Sequence, residues 1–421
     1  MHFARNLRPR MTAGGLFFAL LVLFVAGPAL GLAEVQRYDL TTETAFTPER
    51  GHGFDLGTAP NAGGQPFFFS VALPEGTYRV TVTLGDAQAA SDNTIKAESR
   101  QLVLEHVTTR PGEIVTRSFL VNVRNNRLVP PEKNAPGGSA VLLNERELGL
   151  LRWDDKLTLE FNGPAPRVTA LAVEPADAPV VYLAGDSTVT DQPYEPGANW
   201  GQMLPRFLPG VAVANHAESG ETMKSFISGL RLAKALSAMK AGDWLFIQFG
   251  HNDEKRQWPQ TYVEAHTTYK AYLRVFIAEA RLRGATPVLV TSVQRRTFDE
   301  HGKIKNTHGD YPQAVREVAA EEKVALIDLE RMSVAFYEAL GPERAPLAFS
   351  AGGKDATHHN NYGAYELAKC IVHGIREHVG PPLATAIADD FEDFDPAHPD
   401  APESFALPAS PLRSDLAPRG N

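Results

Sequence analysis

The sequence predicts an α/β protein, a doubly wound parallel sheet preceded by a β-sandwich. Two patterns carry that expectation. Between residues 179 and 380 short apolar runs alternate with segments of helical period, whereas residues 35–176 hold only strand-like runs punctuated by Gly, Pro and Asn. Apolar strands alternating with helices imply a parallel sheet covered on both faces. Repeated short strands with turn signals imply a sandwich or jelly roll.

The front elements follow from rough period-two alternation. Phe67 to Leu73 and Tyr78 to Leu84 flank the turn Pro74-Glu75-Gly76, and further strands are expected at 101–105, 114–122, 157–161 and 168–173. Gly51-x-Gly53 is framed by neither strand nor helix and reads as a loop, not a dinucleotide fingerprint. Pro175 to Pro179 reads as a linker. Beyond it, strands are expected at 180–184, 211–214, 244–249, 287–291 and 324–329, with helices at 261–283, 312–322 and 363–379.

Composition bounds the rest. The 421 residues carry a net charge of −9, which argues against a general nucleic-acid binder, since phosphate neutralisation needs a Lys/Arg surplus. One cysteine excludes an internal disulfide and any cysteine-rich zinc site. Arg5, Arg8 and Arg10, an apolar run from Gly15 to Ala26 and the small residues to Ala33 have the order of a secretory signal peptide. The expected segments are therefore a signal peptide at 1–33, an accessory β-sandwich at 34–177, a catalytic domain at 178–380 and an acidic, Pro-rich tail at 381–421. The mature chain is expected to be secreted or periplasmic, and free of the membrane once the signal is cleaved. The tail holds eight acids against two arginines, and is expected to be disordered or wrapped along the surface.

Chemistry-bearing residues cluster just past the strands of the second zone, where open α/β sheets place their ligands. These are Gly185-Asp186-Ser187-Thr188, Asn215 to Gly220, Gly250-His251-Asn252-Asp253, and Asp355-Ala356-Thr357-His358 before the last helix. Together they supply every role of acyl transfer. A serine needs an imidazole to take its proton. Asp355, three residues before His358, could orient that imidazole. The N–H groups of Ser187 and Gly220 and the Asn252 amide could bind the oxyanion.

In order and placement these blocks resemble the SGNH (GDSL) hydrolases, and within them the rhamnogalacturonan acetylesterases, to which Asn199-Trp200-Gly201 adds a further match. The resemblance covers about half the chain. It implies a flavodoxin-like fold, with Ser187 as nucleophile, His358 as base, Asp355 as orienter and Ser187, Gly220 and Asn252 as oxyanion donors. It also implies removal of O-acetyl groups from acetylated plant cell-wall polysaccharide, without a cofactor. Where relatives often carry Gly-Arg-Ser this chain has Gly220-Glu221-Thr222, so any substrate contact from that position is in doubt. The front domain resembles galactose-binding-like modules and is expected to fold alone, contributing polysaccharide attachment or packing rather than chemistry.

Several residues admit two readings. His251 is either a site residue or a buried brace; Asp186 is catalytic or a turn former. Trp200 either stacks on a sugar or packs. Arg295 and Arg296 either meet substrate carboxylates or are solvated surface charges. His359 competes with His358, and the three-residue offset from Asp355 favours the latter. A zinc site of Asp253, Asp355, His358 and His359 is disfavoured because adjacent histidines point apart. The competing functions are an acetylxylan or broad-specificity GDSL acetylesterase or lipase, and a non-catalytic glycan-binding protein.

Overall fold

The computed structural model describes residues 34–61 and 64–414. The expected signal peptide lies outside the described residues. Nine strands build the front of the molecule: β1 (Gln36–Asp39), β2 (His52–Asp55), β3 (Phe67–Ala72), β4 (Gly76–Gly85), β5 (Ser91–Ala97), β6 (Gln101–Thr109), β7 (Ile114–Val123), β8 (Lys156–Ala165) and β9 (Val168–Pro175). They form two antiparallel sheets in the orders β1-β9-β4-β7 and β2-β3-β8-β5-β6. Val80, Val82 and Leu84 of one sheet meet Phe69, Leu159 and Phe161 of the other in a single buried cluster. Each such side chain contributes about 1.5–3 kcal/mol by leaving water.

The strands absent from the sequence reading have physical reasons. β1 and β2 are four residues each. Gly53 lies within β2 rather than in a loop. Its φ is +138°, and a Cβ there would sit 2.5 Å from the Thr44 carbonyl, so close chain approach dictates the glycine. β5 reads Ser-Asp-Asn-Thr-Ile-Lys-Ala, too polar for a strand signal, yet Asn93, Thr94 and Lys96 are all buried.

Five parallel strands follow: β10 (Val180–Gly185), β11 (Ala212–Asn215), β12 (Trp244–Gln248), β13 (Thr286–Val290) and β14 (Ala325–Ile327), in the order β11-β10-β12-β13-β14. That is the flavodoxin-like order, with its switch point beside β10. One apolar cluster includes Val181, Leu183, Phe246 and Val288, and a second holds Tyr182, Leu245, Ile247 and Leu289. Strands buried on both faces show no alternation, which is how they read in sequence.

The helices are α1 (Trp200–Met203), α2 (Met223–Ser228), α3 (Arg231–Ala238), α4 (Lys270–Leu282), α5 (Tyr311–Glu322), α6 (Leu329–Arg344, interrupted at Gly341) and α7 (Asn361–Gly374). The helix expected from residue 261 opens instead with a π-helical turn, Ala265–Tyr269, that runs into α4, and the Glu264 carboxylate caps it by accepting the N–H groups of His266 and Thr267. Through residue 414 the tail runs over the body of the molecule. Its acids pair with helix cations: Asp390 with Arg206 at 2.7 Å, and Asp400 with Lys369 at 2.7 Å. Of the two expectations for the tail, the described part is wrapped.

Candidate active site

The site begins where β10 ends. Gly185 admits no side chain, because a Cβ would lie 2.6 Å from Val189 and 2.9 Å from the Gln248 carbonyl. The Asp186 carbonyl accepts the N–H groups of Val189 and Thr190, both at 3.1 Å, which closes the chain into a tight turn. Its carboxylate accepts the Thr188 N–H and hydroxyl at 2.9 and 2.8 Å, so Asp186 is a turn former. The Ser187 carbonyl is held by the Asn199 amide at 2.5 Å, leaving the hydroxyl at the turn's apex, 3% exposed.

Asp355 Oδ1 accepts the N–H groups of Thr357 and His358 at 2.7 and 2.9 Å. That local turn delivers Asp355 Oδ2 to 2.9 Å from His358 Nδ1. Across the fold, His358 Nε2 lies 2.9 Å from Ser187 Oγ. The network assigns the tautomer: Nδ1 donates to the carboxylate, leaving Nε2 to accept the serine proton. Burial works against ionisation of Asp355, but the hydrogen bond and charge of His358 outweigh it and hold the carboxyl well below its usual range.

The two residues expected to complete the oxyanion site follow the neighbouring strand ends. Gly220, at φ +85°, follows β11, and Asn252 follows β12. The Asn252 amide donates to the Glu221 carbonyl at 3.0 Å and its oxygen accepts from Lys255 at 2.9 Å, so its orientation is fixed. Gln192 spans the Ser187 carbonyl and the Ser219 hydroxyl at 3.3 and 3.4 Å, tying the first two blocks together. A hydroxyl, imidazole and carboxylate already in hydrogen-bond register can perform acyl transfer.

Glu221, the departure from the related pattern, is buried against Arg231 at 3.1 Å. His251 is buried, 3.5 Å from Asp186 and edge-on to His308, and burial pushes its pKa down to about 4. His359 donates to or accepts from the Tyr337 hydroxyl at 2.7 Å, and it too is held neutral by burial, near 3. Asp253 accepts the Met223 and Gly250 N–H groups at 2.9 and 3.0 Å.

Two expectations need correcting. Trp200 is fully buried and donates to Gln248 Oε1 at 2.9 Å, so it cannot stack on a sugar; an indole N–H drawn into the core needs that partner. Arg296 is anchored to backbone through Nη2, which donates to the Gly353 and Asp355 carbonyls at 2.6 and 3.1 Å, and its guanidinium lies over the Phe349 ring. Arg295 lines a recess with Thr307 and His308, where its guanidinium already meets Glu254 at 2.7 Å.

The front domain is also less detached than expected. Arg152 donates to the Thr190 hydroxyl and the Asp191 carbonyl at 2.7 and 3.0 Å, beside the serine turn. With Arg146, Gln192, Tyr194, Ser219 and Ser350 it borders a cavity of about 450 Å³. Nothing in the sequence flags these arginines, which lie in an irregular stretch between β7 and β8. Asn199, by contrast, stands at the head of the Asn-Trp-Gly block.

Residues 183–365 match the GDSL-like Lipase/Acylhydrolase family. The chain is 43% identical over 217 residues to "Rhamnogalacturonan acetylesterase RhgT" of Bacillus subtilis, spanning 48% of this chain and 91% of that protein. It is 44% identical over 213 residues to "Probable rhamnogalacturonan acetylesterase YesY" of the same organism, spanning 49% and 96%. A third relative, "Uncharacterized esterase YxiM", is 29% identical over 316 residues, 73% of this chain and 74% of its own.

Proposed function

Because this chain belongs to the GDSL-like lipase/acylhydrolase family, we propose that it is a secreted esterase removing O-acetyl groups from rhamnogalacturonan through a Ser187–His358–Asp355 acyl-enzyme. The observation that carries this reading is the unbroken line of two 2.9 Å contacts from Asp355 through His358 to the Ser187 hydroxyl. Identities of 43% and 44% to relatives named for rhamnogalacturonan support the choice of polysaccharide. The basic, apolar and small-residue order of residues 1–33 supports export.

Ser187 Oγ attacks the acetyl carbonyl while His358 Nε2 takes its proton, and Asp355 steadies the imidazolium. The Ser187 and Gly220 N–H groups and the Asn252 amide receive the oxyanion. His358 returns the proton to the departing sugar hydroxyl. Water, activated by the same imidazole, then releases acetate and restores the serine. Acetate release from a panel of acetylated polysaccharides, with Ser187→Ala alongside, tests the reading. The variant should lose on the order of 10⁶-fold in kcat. Retained activity would sink the serine mechanism, and preferential release from xylan would move the substrate.

A further inference from the structure

The loop that carries Gly220 is gripped by an alternating chain of charges. Arg146 Nε lies 2.9 Å from Glu218, whose other oxygen is bonded to Arg152. Arg152 lies 3.9 Å from Glu147, which is bonded to Arg231, and Arg231 lies 3.1 Å from Glu221. Arg146, Glu147 and Arg152 belong to the stretch between β7 and β8; Glu218, Glu221 and Arg231 belong to the hydrolase fold. All but Arg146 are at least nine-tenths buried. Arg146 additionally donates to the Ser219 carbonyl, and Arg124, just past β7, to the Asn215 carbonyl.

The chain of charges thus brackets Gly220. Glu218 and Ser219 are fixed on one side and Glu221 on the other, each by a guanidinium whose planar fork leaves little rotational freedom. A backbone N–H that stabilises an oxyanion works only if it is already aimed when charge develops, and an error of about 1 Å forfeits much of the effect. We infer that the β-sandwich domain is an integral part of the active site, its Arg146, Glu147 and Arg152 acting as positioning residues for the Gly220 oxyanion donor through Glu218 and Glu221. This rests on the Ser187 reading above. It also accounts for the acidic Glu221, which serves as the terminus of the charge chain and does not face substrate.

The test uses the full chain with 4-nitrophenyl acetate. Glu218→Gln preserves volume and removes the charge shared by Arg146 and Arg152. Its kcat should fall about tenfold or more while KM stays within about twofold, as expected for partial loss of one oxyanion donor. Affinity for methylboronic acid, which forms a tetrahedral adduct on the serine, should fall in proportion. Arg152→Lys, keeping the cation without the fork, should be intermediate. Val71→Ala, a core substitution in β3, should lower Tm yet leave kcat unchanged. Wild-type kcat in Glu218→Gln, or an equal kcat loss in Val71→Ala, would overturn the inference. If Glu218→Gln does not fold, the half-exposed Arg146→Ala carries the same comparison. Activity that survives Ser187→Ala would remove the reading beneath it; activity lost in Ser187→Ala but intact in Glu218→Gln would remove this inference alone.

Discussion

Asp355 Oδ2 lies 2.9 Å from His358 Nδ1, while the other oxygen of the same carboxylate accepts two backbone N–H groups. One side chain therefore both shapes its turn and fixes the imidazole. Asp355→Asn should keep the turn and present the wrong partner to Nδ1, costing on the order of 10⁴-fold in kcat.

The same contact predicts a pH dependence. The folded pKa of Asp355 is depressed, with burial opposing and His358 prevailing. Its stabilising contribution is complete above the ordinary carboxylate pKa, about 4, and is lost only as pH falls toward the depressed folded value. The stability gap between wild type and Asp355→Asn in urea should hold constant from pH 7 to 5 and narrow below 4. A gap that widens with acid would contradict the assignment.

Asn252→Ala removes the proposed oxyanion donor and the bond to the Glu221 carbonyl. A drop in kcat of roughly 10²–10³-fold is expected, with much smaller change in KM. A predominantly KM effect would place Asn252 on the sugar instead.

Arg296→Ala should impair neutral and charged acetyl esters alike, about tenfold in kcat, because its Nη2 holds the Gly353 and Asp355 carbonyls of the loop that carries the acid. Selective loss on acetylated rhamnogalacturonan, shrinking with salt, would return it to the substrate.

Exhaustive chelation and dialysis should leave activity intact. Two of the groups that sequence offers as zinc ligands are otherwise committed, Asp253 to backbone N–H groups and His359 to Tyr337. Activity lost on chelation and restored by zinc would count against the serine mechanism.

The parallel sheet and the triad were legible because their signals are local: doubly buried strands are uniformly apolar, and Asp355 and His358 sit three residues apart. What escaped depends on tertiary context. β5 is polar because Asn93 and Lys96 face partners far along the chain, among them Glu160 and the Pro408 carbonyl. Trp200 was ambiguous because an indole serves core and sugar equally well in sequence. Arg146 and Arg152 carry no periodicity, and only the folded chain brings them to Glu218.

The wrapped tail has a consequence for the order in which the protein is made. Ser410 donates to Glu160 at 2.7 Å across 250 residues of chain, and its N–H donates to Glu195, beside Lys96 and Arg100. A ribosome releases Glu160 long before Ser410 exists. Lys96 and Arg100 pair with Glu160 and Glu195 across the seam between the β-sandwich and the hydrolase fold, and the tail adds the Ser410 bonds that cover these pairs. The arrival of residues 408–414 seals the seam, so a chain truncated before them should emerge with a hydrated, protease-sensitive joint.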